Sequence, residues 1–218
     1  MNRTLKGLVL LACLSACSFS YAKSRVVVTD KNGVVLSNIV VEISAQTKTS
    51  TDLARQAADP VVIEQIDQQF VPHISVVPVG TQVTFPNNDT VAHHVYSFSP
   101  AKTFEVNLQE QFTSKPISFD SAGIVELGCN IHDWMLAYVF ISDADWFGKT
   151  NAQGIVDVEL PEGSYSASVW HPRLSKNDMQ SIHELIINQA NQVSTIALSD
   201  DLLPSLTGYD SVGALDDY

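Results

Sequence analysis

Ile124-Val-Glu-Leu-Gly-Cys129-Asn-Ile-His132-Asp-Trp-Met135-Leu-Ala-Tyr-Val-Phe-Ile141 is the stretch on which the reading of this chain turns. Two β-rich runs, Ile124 to Leu127 and Ala137 to Ile141, flank a short loop. That loop carries a thiol, an imidazole and a thioether within seven residues. Neighbours on a straight strand alternate faces, so only a tight loop can turn all three side chains toward one point.

Further runs of the same kind surround it. Ile74 to Val79, Gln82 to Phe85 and His94 to Phe98 are short, rich in β-formers and punctuated by Pro, Gly, Asn and Asp. That spacing predicts an all-β Greek-key sandwich, with strand signals resuming at Val61. Arg25 to Thr29, Asp30-Lys31-Asn32-Gly33 and Val34 to Ile43 read as a hairpin closed by an Asn-Gly turn. Gln46 to Asp59 is polar and without period, a loop or a short helical excursion. Beyond Asp145, turns at Thr150 to Gly154 and Pro161 to Tyr165 separate strands over Ile155 to Leu160 and Ser166 to Trp170, with two more at Leu185 to Asn188 and Val193 to Leu198. The tail from Asp200 holds five Asp and no Lys or Arg, and is expected to be frayed.

The 218 residues, 45% of them hydrophobic, suffice for one large core or two modest ones. Residues 1–22 read as an export signal: Arg3 and Lys6 precede an apolar stretch from Gly7 to Ala16, and Ser20-Tyr21-Ala22 offers a cleavage site. The apolar stretch is half of the ~20 residues that span a bilayer, and no later run is long enough, so the mature chain should contain no transmembrane segment. Leu14-Ser15-Ala16-Cys17 resembles a lipobox, a second processing route that would leave a lipid anchor on Cys17. Without Arg3 and Lys6 the chain has 10 basic against 24 acidic residues, formally −14. Nucleic acid is excluded as a partner for want of a basic footprint, and a basic or neutral protein fits better. Cys13 and Cys17 lie in the leader, so Cys129 has no intrachain partner for a disulfide.

Cys129, His132 and Met135 are soft donors, and thiolate with thioether favours copper. Zinc sites have no role for a thioether. A catalytic Cys-His pair leaves Met135 idle, and a merely buried thiol leaves both neighbours unexplained. One more histidine is required, and Val83 to Val95 supplies His93-His94. If Val95 points into the core, strand alternation takes His93 inward with it and turns His94 outward or into an outer layer. His73, His171 and His183 have no soft neighbours and read as structural or surface residues. Trp134 either packs the loop or belongs to an apolar surface at the edge of His132.

A Gly-x-x-Val-x-Phe strand, a loop ending in His-x-Val, and then Cys-x2-His-x2-Met resembles the cupredoxins, of the amicyanin and plastocyanin type, over Val61 to Asp143. The resemblance implies a type 1 site with one copper ion held by His93, Cys129, His132 and Met135. His94 stands where that family usually has Asn, and Asn130-Ile131 replaces the usual Thr-Pro or Ser-Pro. The flanking hairpin and the Gly154 to Pro172 region, with Pro-x-Gly-x-Tyr and Trp-His-Pro, resemble the carboxypeptidase regulatory-like sandwich. The whole resembles periplasmic methylamine-utilisation-type proteins. The implied organisation is a regulatory-like sandwich from residues 23–46 and 144–199, a cupredoxin domain at 60–143 inserted in it, and an acidic tail at 200–218. The expected function is one-electron transfer with an unidentified redox protein partner. A periplasmic copper carrier or store, and a metal-free binding or scaffold module, are the alternatives. An enzyme is least supported, because a saturated site has no open position for substrate.

Overall fold

The computed structural model describes residues 21–46 and 58–205, so the expected export segment up to Ser20, most of the polar loop after Gln46 and the end of the acidic tail lie outside the described residues. The chain begins with β1 (Tyr21–Thr29) and β2 (Val40–Ala45). It continues through β3 (Val61–Val62), β4 (Glu64–Ile66), β5 (Gln69–Val71), β6 (Ile74–Pro78), β7 (Thr81–Thr84), β8 (His93–Ser99), β9 (Lys102–Leu108), β10 (Ile117–Phe119), β11 (Gly123–Cys129) and β12 (Leu136–Ser142). β13 (Trp146–Lys149), β14 (Ile155–Pro161), β15 (Gly163–Trp170), a one-turn helix α1 (Lys176–Gln180), β16 (His183–Ile187) and β17 (Val193–Ala197) complete it. The protein is an all-β sandwich structure, and no helix among the described residues is long and apolar enough to cross a membrane.

Two pairs of sheets follow from the period-two burial of these strands. Sheets β14-β1-β17 and β13-β2-β15-β16 share one core, in which Val26, Val28, Val41, Ile43, Val158, Ala167 and Val169 are buried. Sheets β10-β7-β3 and β6-β12-β11-β8-β9 share another, built on Val83, Phe85, Val95, Leu108, Phe119, Leu127 and Val139. Cys129 and Met135 belong to that second core. Among the strands, β4 and β5 pair only with each other, and Phe70 of β5 is buried in that second core.

The Asn-Gly turn forms, but the strand after it does not run to Ile43. Asp30 accepts the N–H groups of Asn32 and Val34, each at 2.8 Å, and Gly33 takes φ +84. The return segment then meets β1 only at the Thr29↔Val35 bridge. At Asn38, φ +60, the backbone turns away, and Thr150 receives it through the N–H groups of Asn38 and Ile39. The cause is burial: Ile39, Val40 and Val41 are fully covered, which requires β2 to lie centrally between β13 and β15. The start of the tail is likewise docked, since Leu203 N–H donates to the Arg173 carbonyl at 2.8 Å and Asp201 pairs with Lys31 at 2.8 Å.

Val40, Ile74, Phe140 and Trp170 form a third cluster, where β2 and β15 meet the outer side of β6 and β12. Trp170 packs edge-on against Tyr138 at 5.5 Å. Ser142 donates to Glu42 across the same junction. Burial there raises the Glu42 carboxyl above its ordinary value, against the lowering effect of that hydrogen bond. Burial, with repulsion from Glu126, pushes the Tyr138 phenol up to about 12.

Candidate metal centre

β8 begins at His93 and β11 ends at Cys129, and these strands pair antiparallel with Cys129 opposite Val95. His93 and Val95 are two residues apart, so they share the inward face, and both are buried. That register puts the imidazole beside the thiol. Past Cys129 the chain leaves the sheet, with Asn130 N–H donating to the His94 carbonyl at 3.0 Å. The loop then closes through Met135 N–H onto the His132 carbonyl, also at 3.0 Å, which turns the His132 ring back over Cys129.

Three donor atoms converge. Cys129 Sγ lies 3.7 Å from Nδ1 of His93 and 3.7 Å from Nδ1 of His132, and the two nitrogens are 3.2 Å apart. The point equidistant from the three lies about 2.1 Å from each, within the range of about 2.0–2.3 Å for bonds from imidazole nitrogen or thiolate to a metal ion such as zinc. Two nitrogens and a sulfur facing one another at that spacing fit a single ion. Met135 is 2% exposed and shares the core with Cys129. Both line a cavity of about 540 Å³ that also touches Tyr96, Glu126 and Gly128.

His94 turns the other way. Its Nε2 lies 3.6 Å from Glu105 and its ring 6.4 Å from that of Tyr96, outside the donor cluster. The remaining histidines also lie elsewhere. His73 Nδ1 meets the Leu136 carbonyl at 2.9 Å, His171 Nδ1 accepts the Arg173 N–H at 3.2 Å, and His183 pairs with Ala167 in the sheet of β15 and β16. Trp134 is 55% exposed with its ring 5.4 Å from that of His132, and Ile131 beside it is also exposed.

Two residues that sequence reasoning passed over hold the His93 loop together. The buried Asn87 side chain donates to the carbonyls of Val91 at 2.8 Å, Gln109 at 3.1 Å and Leu108 at 3.3 Å, and accepts the Asp89 N–H at 2.9 Å. Asp89 in turn meets Nε2 of His93 at 2.8 Å. The signal for the first was Asn87-Asn88-Asp89 itself, a run of residues that bond their own backbone two positions on. For the second it was an acidic residue four positions before a histidine.

No protein-family model matches the chain, and no curated protein matches it. Among solved structures, a purple cupredoxin from Nitrosopumilus maritimus is 24% identical, with 38% of this chain and 99% of that one covered and a TM-score of 0.34. An amicyanin variant in its oxidised state is 17% identical over 48% of this chain and 99% of its own, TM-score 0.35. A copper-containing nitrite reductase from Thermus scotoductus SA-01 is 23% identical over 38% of this chain, TM-score 0.36, and the chain spans only 22% of that enzyme. In these three the likeness covers less than half of the chain.

Proposed function

We propose that this chain is an exported, periplasmic copper protein that transfers single electrons through a type 1 site made by His93, Cys129, His132 and Met135. The observation that carries the reading is the approach of one thiol and two imidazole nitrogens to within 3.7 Å of one another at the end of a core. A copper ion held there supplies a centre that passes one electron by alternating between Cu(I) and Cu(II). Cys129 would hold the ion as thiolate together with the Nδ1 atoms of His93 and His132, and Met135 would be the weakest donor of the four. Burial of His93, Cys129 and Met135 keeps bulk water from the donors, and the surrounding strands hold them in one arrangement whatever the charge between them. Four protein donors leave no position for a substrate, which speaks against an enzyme. The exposed Ile131 and Trp134 beside His132 offer an apolar contact for a redox partner. The sheets flanking the centre, from residues 23–46 and 144–199, are in this reading the regulatory-like sandwich that carries the copper domain.

Mature protein given one equivalent of Cu(II) is expected to turn intensely blue and to bleach and recover on reduction and reoxidation. Cys129→Ser should lose the colour with its circular dichroism unchanged. A colourless Cu(II) complex of the native protein would overturn the electron-transfer reading. Rapid loss of copper to a chelator in either oxidation state would favour a carrier instead.

A further inference from the structure

The carboxylate of Asp89 is a meeting point of three elements. Its Oδ2 lies 2.8 Å from Nε2 of His93. From the other side it receives the backbone N–H of Asp67 on Oδ1 at 2.6 Å and that of Gln68 on Oδ2 at 2.9 Å. The Asp89 side chain is 11% exposed and the His93 side chain 0%.

Asp67 and Gln68 are the two residues between β4 and β5, with φ of +52 and +58. A two-residue hairpin turn of this hand favours Asn, Asp and Gly, so Asp67 suits its place but Gln68 is not there for its intrinsic preference. The conformation aims two successive N–H groups at one anion, as a backbone nest does. The hairpin is also fastened along the loop that precedes His93. Gln65 N–H donates to the Pro86 carbonyl at 3.0 Å, its side-chain amide to the same oxygen at 3.1 Å, and Asn88 N–H to the Gln65 carbonyl at 3.0 Å.

An ionised carboxylate only accepts, so its bond to His93 requires the imidazole proton on Nε2. A neutral ring then presents a lone pair at Nδ1, the atom that faces Cys129 and His132. We propose that Asp89, clamped by the Asp67–Gln68 turn, is the positioning residue of this centre: it fixes His93 as the tautomer with a free Nδ1 and, through its charge, makes that nitrogen a stronger donor to Cu(II) than to Cu(I). The second half of this statement rests on the copper reading, whereas the first concerns the metal-free protein and does not.

Asparagine at 89 cannot replace it. With its single oxygen toward His93, its NH2 group confronts the N–H of Asp67. Turned the other way, it confronts Nε2–H and drives the proton to Nδ1, where it blocks the ion.

The test uses metal-free and copper-loaded mature protein. Nitrogen-15 shifts of the His93 ring report the tautomer, and chelator competition reports Cu(II) and Cu(I) affinities separately. Native protein should show a single Nε2–H tautomer. Asp89→Asn and Asp89→Ala should lose it and bind Cu(II) roughly 10- to 100-fold more weakly, with a smaller loss for Cu(I). Asp67→Gly keeps the turn geometry and should match the native protein, whereas Asp67→Val disfavours positive φ and should shift both readouts toward those of Asp89→Ala. Folded Asp89 variants with an unchanged tautomer and an unchanged Cu(II)-to-Cu(I) affinity ratio would overturn the proposal, and Asp67→Val indistinguishable from native would overturn the clamp. If native protein formed no blue Cu(II) site, the function proposed above would fail, while the tautomer measurement would still decide the role of Asp89.

Discussion

His93 and His132 bring the same atom, Nδ1, to the same point from opposite situations. His93 sits on a strand, is 1% exposed, and has its far nitrogen bonded to Asp89. His132 sits on a loop, is half-buried, and its Nε2 makes no hydrogen bond among the described residues. The contrast divides the labour of such a centre. The buried histidine is placed by the fold and braced from behind. The other is placed by a short loop and faces the exposed Trp134.

The largest expected effect comes from removing each ring in turn. His93→Gly and His132→Gly should both abolish the blue band. Added imidazole should restore it in His132→Gly, whose vacancy opens to solvent, and fail in His93→Gly, whose vacancy is sealed; absorption spectra during an imidazole titration check this. Equal rescue in both would erase the distinction.

Next, Asn87→Ala should destabilise the protein by about 2–3 kcal/mol in denaturant unfolding, because it strands buried partners of the His93 loop. Trp134→Ser, on the open half, should stay within about 0.5 kcal/mol of native. Its effect belongs in the rate of electron exchange with a protein partner, read by stopped flow, with the absorption spectrum unchanged.

The smallest effect lies in neither half. Glu42 has a carboxyl whose folded pKa is raised from 4.5 by burial. The folded state therefore holds that proton more tightly than the unfolded state, and its contribution is fully present below pH 4.5 and fades as pH rises through the raised value. Glu42→Gln should show a flatter melting temperature across that window, with copper spectra untouched.

How much of this was legible follows the length scale of each signal. β11 announces itself by alternation, β12 by an unbroken run of β-formers, and the loop between them by its soft donors. β9 carries the same signature in Phe104, Val106 and Leu108, inward residues of an alternating run, although it was not among the strands read from sequence. The Asn32-Gly33 turn was visible, but the departure of the chain at Asn38 was not, because it depends on Thr150 more than a hundred residues away. The β4-β5 turn was hidden for a different reason: Gln68 follows Asp67 where Gly would mark such a turn, and the Asp89 carboxylate accepts both of their N–H groups. At the centre itself the donor atoms could be read from residue types, whereas Asn87 and Asp89 act through contacts that exist only once the loop is closed.

The central claim is that two imidazole nitrogens and one thiolate form a ready site for a single copper ion. X-ray absorption at the copper edge, on protein loaded with one equivalent and measured in both oxidation states, tests it most directly. Two nitrogens and one sulfur should lie at bonding distance in each state, with little change between them. A copper ion surrounded only by nitrogen and oxygen, or one that exchanges its ligands when reduced, would contradict it.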